Sequence, residues 1–578
     1  MRATGSAPAP RRASGAPPVR PRPPRATAQQ DPAGLNAKVP RRKGGDPPVG
    51  TWLLLNTAAV IVLAGAVVAP IVLAAYLYVY DRRQRQHSVL RNYPLLGRLR
   101  YLFEMIGPEM RQYMFDADEE GRPFSRVEFQ GVVRAGKYGS SLIGFGSKRD
   151  FEKEGYYIRN ALLPLQLEEL RVEQSPRVRT KTYVSRERLF SRSERLVDAE
   201  LDPWLLPEED AVVIGAGLPH PFRVRGLVGM SGMSFGALGD RALTALSLGL
   251  GAAGGTWMNT GEGGLAPYHL KGGVDVIAQI GPGLFGFRDR DGRFSWDELQ
   301  RKAALTQVRA FELKLAQGAK IRGGHLPGAK VTPEIAAIRG LEPWKPVDSP
   351  NRFREFSGVD GLLDFLQRIR EVAGKPIGVK LVVGGPDALD ELAAAMARRG
   401  SGPDFITVDG GEGGSGATYQ EMADGMGLPV KSAIVIADDT LRRHGVRHRV
   451  KLVASGKLVS ADRIAVALSL GADLVQIARG FMISVGCIGT QRCHMNTCPV
   501  GVATTDPNLQ KALVIEEKRW RVTNYVVTLR HGLFALAAAA GLDSPTKFER
   551  RHVVYRDPFG RALPADELHP YPDAARPA

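Results

Sequence analysis

Hydrophobic and polar positions change their pattern twice along this chain. Residues 51–80 (TWLLLNTAAVIVLAGAVVAPIVLAAYLYVY) carry no charge, and the run ends at Asp81-Arg82-Arg83. A helix needs ~20 apolar residues to cross the hydrocarbon core of a bilayer, so the run predicts one transmembrane helix. Trp52 at one end and Tyr76, Tyr78 and Tyr80 at the other suit the two interfaces. The competing readings are a buried soluble helix and a cleaved signal peptide. The run is about twice a signal-peptide core of ~7–15 residues, and no clear cleavage site follows it. Pro70 is tolerated in such a span.

Beyond Phe222 the pattern becomes regular. Short apolar runs at 224–230, 255–259, 274–280, 310–316, 376–383, 404–408, 450–454 and 473–478 are each followed by a glycine-rich loop, and usually by a helical periodicity, as at 240–250, 362–372, 388–398 and 461–470. Continuous apolar runs suit strands buried on both faces, and eight of them with intervening helices predict an α/β fold, a (β/α)8 TIM barrel whose site lies at the C-terminal ends of the strands. A doubly wound sheet is the alternative. Residues 81–204, Arg-rich with mixed short patterns, read as a small α+β region linking the apolar segment to the barrel.

Charge narrows the class. Lys+Arg 78 against Asp+Glu 60 gives +18, yet residues 1–50 hold ten basic and two acidic residues and residues 81–100 six and one, so +13 falls in the first hundred. The balance argues against a nucleic-acid-binding body. Residues 1–50 also contain eleven Pro and few large apolar side chains, and are expected to be a disordered tail. With 44% apolar and 24% charged residues, the chain as a whole is globular in composition. Basic residues flank both ends of the apolar run, so charge does not orient it. Thiol chemistry in the body places the body in the cytoplasm.

The three cysteines, Cys487, Cys493 and Cys498, fall within twelve residues in the spacing C-x5-C-x4-C, with Pro after the last. That exclues a disulfide scaffold and reads as a metal site in a reducing compartment. With no fourth Cys, a three-iron cluster is the natural fit. A Cys3His zinc site using His494 is the alternative, although the short C-x2-C knuckles usual for zinc are absent.

The post-strand loops MSGMSFG (230–236), NTGEGG (259–264), QGAK (317–320), GGEGGSG (410–416), SGK (455–457) and RG (479–480) concentrate glycine on one barrel face. Glycine lets backbone approach a ligand closely, so a large cofactor is implied. Ser455-Gly456 and Arg479-Gly480 end the last two strands, where barrels bind phosphate. Lys380, ending the apolar strand GVKLVV, would set a cation beneath a cofactor ring or else snorkel from the mouth. The stretch VVIGAGLPH (212–220) opens like a dinucleotide fingerprint, but His220 occupies the third glycine position and Pro219 disrupts the required helix.

These motifs carry a resemblance. MSFGAL (233–238), NTGEGG (259–264), LPGAKVTPEIA (326–336), VKL (379–381), GGSGA (413–417) and GCI through CPVGVAT (486–504) occur in this order across residues 205–545, and the chain resembles the stand-alone, membrane-anchored members of the FMN-binding glutamate synthase family. Residues 91–101 (RNYPLLGRLRY) look like that group too. The resemblance implies a barrel at 205–545 binding FMN and a 3Fe-4S cluster on Cys487, Cys493 and Cys498 in loop 486–501, followed by a C-terminal tail at 546–578. By position, Met230, Ser231, Asn259, Gln279, Lys380, Ser455, Gly456, Arg479 and Gly480 would line FMN. Lys320 would face a substrate carboxylate, and Glu262 would move protons or anchor its loop.

The implied reaction is reductive amination of 2-oxoglutarate, or a related oxo acid, with ammonia. The family's GAKPGxGG substrate loop, followed by glutamine in true glutamate synthases, is here one residue shorter and reads GAKIRGGH, ending at His325, with Arg322 offering a replacement cation. The altered loop favours another oxo acid or amine, as in N-methylglutamate synthesis, as the second reading. A membrane-tethered electron-transfer module without its own substrate is the third. With every Cys assigned to the cluster and no nicotinamide or FAD motif, the expected partners are an electron donor such as ferredoxin or a reductase subunit, ammonia or a separate amidotransferase, and membrane lipid.

Overall fold

Apolar residues without charges build the first helix, Val49–Arg83, and its 35 residues extend about 52 Å at 1.5 Å each. Its side chains are almost all exposed, and it is long and apolar enough to cross a membrane. The computed structural model describes residues 49–188, 191–318, 324–416 and 418–572, so the tail expected at 1–50 lies almost wholly outside them. The chain divides into two compact units, with the boundary after Met105.

In the first unit, Asp81 ends the apolar helix with a fully buried carboxylate. It accepts from Arg98 Nε at 3.0 Å, Arg98 Nη2 at 2.6 Å and the Leu95 amide at 3.0 Å, which holds the start of the next long helix, Leu96–Met110.

The second unit is built on eight parallel strands: β1 Val228–Met230, β2 Trp257–Asn259, β3 Asp275–Ile280, β4 Val308–Lys314, β5 Ile377–Leu381, β6 Phe405–Asp409, β7 Lys451–Ser455 and β8 Leu474–Ile477. Each pairs with its sequence neighbours, and β8 returns to β1 through Val475 beside Val228, closing the barrel. The expected (β/α)8 fold is therefore present. The strands are buried on both faces, as their unbroken apolar runs require.

The run expected at 224–230 is two strands rather than one. Leu227 takes a left-handed φ of 58°, which breaks the extended chain between Phe222–Val224 and β1. Phe222–Val224 pairs instead with Val212–Ile214, so the stretch that opens like a dinucleotide fingerprint is half of a hairpin. Phe222 packs edge-on against Trp257 at the start of β2, which puts the hairpin at the N-terminal end of the barrel.

The helices Asp240–Ala253, Gly358–Ala373, Asp390–Arg399 and Ala461–Ser469 stand where periodicity predicts them. A 25-residue helix, Ile515–Ala539, packs along Asp240–Ala253 and Arg126–Tyr138. Within it, Arg530 is fully buried and donates to the carbonyls of Ala253 and Gly254, closing the C-terminal end of Asp240–Ala253. Val553–Arg556, within the C-terminal 546–578, forms an antiparallel sheet with Gly155–Ile158 and Ala562–Pro564.

Candidate functional site

The C-terminal ends of the strands open into a cavity of about 3950 Å³, far larger than the ~300–1000 Å³ of an ordinary small-molecule site. Most of the residues singled out in the sequence gather at this mouth. Met230 and Ser231 end β1 and are buried, as are Asn259 at the end of β2 and Gln279 in β3. Lys380 in β5 is 4% exposed. Its Nζ donates to Ser231 Oγ at 3.1 Å and lies 3.4 Å from Asp409 Oδ2, at the end of β6. Asp409 Oδ2 also accepts the Gly318 amide at 2.8 Å. The cation is thus fixed inside the mouth and does not snorkel out of it.

A carboxylate that the motifs did not reveal organises the layer beneath. Glu312 in β4 is wholly buried. Its Oε2 accepts from Asn259 Nδ2 at 2.8 Å and Gln279 Nε2 at 2.6 Å, and its Oε1 accepts from Thr407 Oγ1 at 2.6 Å. Gln476 Nε2 in β8 reaches Thr407 Oγ1 at 3.4 Å, while Gln476 Oε1 is buried without a partner. Asn259 Oδ1 in turn accepts the Gly261 amide at 3.0 Å. One carboxylate therefore sets the amides of two strands and ties them to two others across the barrel.

At the far side, Ser455 ends β7 and Gly456 follows with φ 153°. Arg479 opens the helix Arg479–Ser484, donates to the Glu412 carbonyl at 3.0 Å and lies over the Phe124 ring at 4.8 Å. Burial lowers its basicity, and among the described residues it forms no ion pair. A Cβ on Gly414 would stand 2.6 Å from Arg479 Nη1, so glycine there is what lets the guanidinium lie on the loop backbone. Gly480 is packed as closely, 2.5 Å from Tyr525 Oη to where its Cβ would be. Lys457, also lining the cavity, is likewise less basic through burial. Two poorly neutralised cations beside a glycine turn make a corner suited to an anion such as phosphate.

Glu262, in the loop after β2, pairs with Lys314 at the end of β4, Nζ to Oε1 at 2.9 Å, with both side chains largely buried. Behind them Arg339 is 5% exposed. Its Nη2 donates to the Phe235 carbonyl at 2.9 Å and its Nε has no partner. Burial lowers Arg339 to about 10, and the Glu262 charge works in the opposite direction. Lys320 and Arg322 lie outside the described residues. His325, which follows them, pairs its Nδ1 with Asp348 Oδ1 at 2.9 Å across the short strands His325–Leu326 and Val347–Asp348 on the cavity lip.

The cysteine loop lines the same cavity through Cys487 and Cys493, with Cys498 buried behind them, and all three are free thiols. Burial pushes Cys487 up to about 11, with Cys493 and Cys498 adding to the rise, and burial and Cys498 likewise raise Cys493. The three thiols thus sit within one another's electrostatic reach. Lys330 is 2% exposed, and its Nζ donates to the carbonyls of Cys493 at 2.9 Å and Ala503 at 3.1 Å, clamping the loop from beneath. Burial lowers Lys330 to about 8, opposed by Cys493 and Cys498. Asn496, at φ 62°, turns the loop and accepts the Thr505 amide at 2.8 Å. On its outer side, Gln112 donates to the Ile488 carbonyl at 3.1 Å and Arg492 lies 3.6 Å from Glu109.

Among the described residues no three His, Cys, Asp or Glu side chains are arranged to hold one metal ion. His494 is exposed.

The glutamate synthase conserved-region model matches residues 169–543. The chain is 56% identical over 513 residues to the glutamate synthase large subunit-like protein YerD of Bacillus subtilis (strain 168), covering 88% of this chain and 98% of that one. It is 30% identical to the archaeal-type glutamate synthase [NADPH] of Thermotoga sp. (strain RQ2), over 64% of this chain and 68% of that one. Against the glutamate synthase [NADPH] large chain of Bacillus subtilis it is 32% identical, over 54% of this chain and 20% of that one. Among solved structures, a mandelate oxidase mutant with the monooxide FMN adduct is 13% identical with a TM-score of 0.37, over 78% of this chain and 99% of that one. A flavocytochrome b2 mutant with sulfite bound is 12% identical with a TM-score of 0.38, over 78% and 85%. The matched region contains the whole barrel, its polar mouth and the cysteine loop, and the chain belongs to the glutamate synthase family.

Proposed function

We propose that the chain is a membrane-anchored, FMN-dependent oxidoreductase that aminates a 2-oxo acid, 2-oxoglutarate with ammonia, and draws its electrons through a 3Fe-4S cluster on Cys487, Cys493 and Cys498. The observation that carries this reading is that one cavity joins the Arg479 and Lys457 corner, Gln279, the Glu262–Lys314 pair and the cysteine loop. The chain's residues fit both groups. The buried cations and the glycine-lined turn suit the FMN phosphate, and Gln476 Oε1 is a buried acceptor without a partner among the described residues. A cluster spreads its thiolates over several irons, so it does not need the close approach that a single ion demands. Three neighbouring thiols clamped by Lys330 suit it. Burial keeps Cys487 and Cys493 protonated, so binding the cluster would release their protons.

When bound, reduced FMN supplies hydride and the cluster supplies single electrons. The protein supplies position and charge. Arg479, Lys457 and Gly456 would hold the phosphate end. Lys380, fixed between Ser231 and Asp409, would supply a positive charge that favours a reduced, anionic flavin. Met230, Ser455 and Gly480 supply backbone and apolar walls, while Asn259 and Gln279 present amides locked by Glu312.

On the substrate side, Lys314, Lys330 and Arg339 make a buried cationic wall suited to an oxo acid. Lys314 holds the Glu262 carboxylate in place, where one of its oxygens can take a proton from the incoming nitrogen and return it as the carbonyl oxygen leaves as water. The balance is oxo acid plus ammonia plus two electrons and two protons to amino acid plus water. Ferredoxin or a reductase subunit would supply the electrons, and an amidotransferase partner is an alternative nitrogen source. The helix Val49–Arg83 anchors the chain, with the catalytic body in the cytoplasm.

A second reading, another oxo acid or amine as in N-methylglutamate synthesis, is favoured by His325 with its Asp348 partner where the family pattern has glutamine. A substrate panel separates the two.

The reading is tested on the full chain in detergent by identifying the released flavin, assaying iron and acid-labile sulfide, and recording the EPR spectrum of the oxidised protein. FMN with a three-iron signal is expected, and Cys498→Ala should abolish the signal while leaving the flavin. Absence of flavin, or iron that survives Cys498→Ala, contradicts it.

A further inference from the structure

The helix Leu96–Met110 begins twelve residues after the apolar helix ends, and its outer face is apolar. Leu96, Leu99 and Phe103 stand at i, i+3 and i+7, so they share one side, and Leu102 and Met105 widen it. Their exposures are 69%, 51%, 65%, 44% and 63%. Phenylalanine and leucine in such an array are not left in water without a reason. Arg100 and Glu104, paired at 2.7 Å, lie outside this arc.

Two further observations indicate what covers this face. Asp81, the residue that ends the apolar run, is fully buried and grips Arg98 through two hydrogen bonds, 2.6 and 3.0 Å, while the Leu95 amide donates to it at 3.0 Å. The start of the second helix is therefore held against the very end of the first, and a buried carboxylate with a fork of this geometry is a stiff joint. Around the joint Arg82, Arg83, Arg85 and Arg91 are exposed, a cationic collar with no acidic residue among 82–100. A helix with an apolar face, a basic surround and its start fixed at the end of a membrane span has the character of an interfacial helix.

We infer that Leu96–Met110 lies in the headgroup layer of an anionic bilayer, with Leu96, Leu99, Leu102, Phe103 and Met105 in the acyl boundary and the arginine collar on lipid phosphates. This rests on the proposed span at Val49–Arg83, and it assigns a second lipid contact outside that span. Such a helix sits ~5–10 Å into the headgroup and acyl boundary, and the Asp81–Arg98 joint sets where along the chain it meets the surface.

The test uses the full chain in nanodiscs of phosphatidylcholine with phosphatidylglycerol, and tryptophan emission measured as the difference from the parent chain. Phe103→Trp and Leu99→Trp are expected to show blue-shifted emission, lost on addition of lipids brominated near the headgroup end of the acyl chain and much less with bromines near its tip. Glu104→Trp, on the other face, should stay water-like and unquenched. Leu63→Trp, inside the apolar helix, should be quenched by the deep bromines. If Leu63→Trp is quenched while Phe103→Trp and Leu99→Trp emit as in water, the interfacial helix is refuted and the span stands. If Leu63→Trp is unquenched as well, the span reading falls too.

Discussion

Glu312 shows what one buried charge does in this barrel. It meets three donors from three other strands, and among the described residues it forms no ion pair, so hydrogen bonds hold it. Replacing it by glutamine keeps the shape but turns one oxygen into a donor facing donors. Glu312→Gln is expected to lower stability by about 1–3 kcal/mol, read as a shift in denaturation midpoint, and to weaken FMN because Asn259 and Gln279 lose their fixed orientation. Unchanged stability and flavin affinity would show that the network is incidental.

The signal that exposed Lys380 in the sequence, a charge inside an apolar strand, is present in the strand around Glu312 and Lys314 as well. The difference is that Lys380 falls in a motif shared with a family, whereas the partners of Glu312 are 33 to 95 residues away in sequence and only the closed barrel brings them together. Asp409, Lys330 and Arg339 escaped for the same reason. Glu262 was legible as a loop acid, but its Lys314 partner appears only once β2 and β4 are placed.

Elements were more legible than pairings. All eight barrel strands and the four clearest helices follow from apolar runs and periodicity, because strands buried on both faces cannot accommodate polar alternation. The run at 224–230 misleads because a left-handed Leu227 breaks it without any glycine or proline at that position. The sheet between Gly155–Ile158 and Val553–Arg556 has no local signature, since its partners lie about 400 residues apart in sequence.

Loop-to-loop contacts are tied by buried side chains, of which His269 is the clearest. In the short helix Pro267–Leu270 it is wholly buried, with Nδ1 accepting the Ala266 amide at 3.1 Å and Nε2 donating to the Met233 carbonyl at 3.2 Å, so it clamps the loops after β1 and β2. Burial lowers it from 6.5 to about 4. The unfolded chain therefore takes up the proton first. The clamp's contribution is complete above 6.5 and is lost as pH falls toward and through 4. At pH 5 the loss is about 2 kcal/mol. Denaturant titrations between pH 7.5 and 5 should show the parent losing stability more steeply than His269→Gln, which cannot charge. Parallel pH profiles would contradict the neutral buried histidine.

At the scale of the molecule, the sequence made a long apolar helix and a closed barrel legible. What it could not supply was the arrangement of charges within the mouth, which arises from loops that follow different strands. The central claim is that the mouth performs the amination, and it is tested by a single turnover. The full chain in nanodiscs is reduced anaerobically until the flavin is bleached, then mixed in a stopped-flow with 2-oxoglutarate and ammonium while flavin absorbance is followed. Rapid recovery of the oxidised flavin with one glutamate formed per flavin is the predicted result. A flavin that stays reduced, with FMN and cluster both present and every other oxo acid and amine equally inert, would contradict the synthase chemistry altogether.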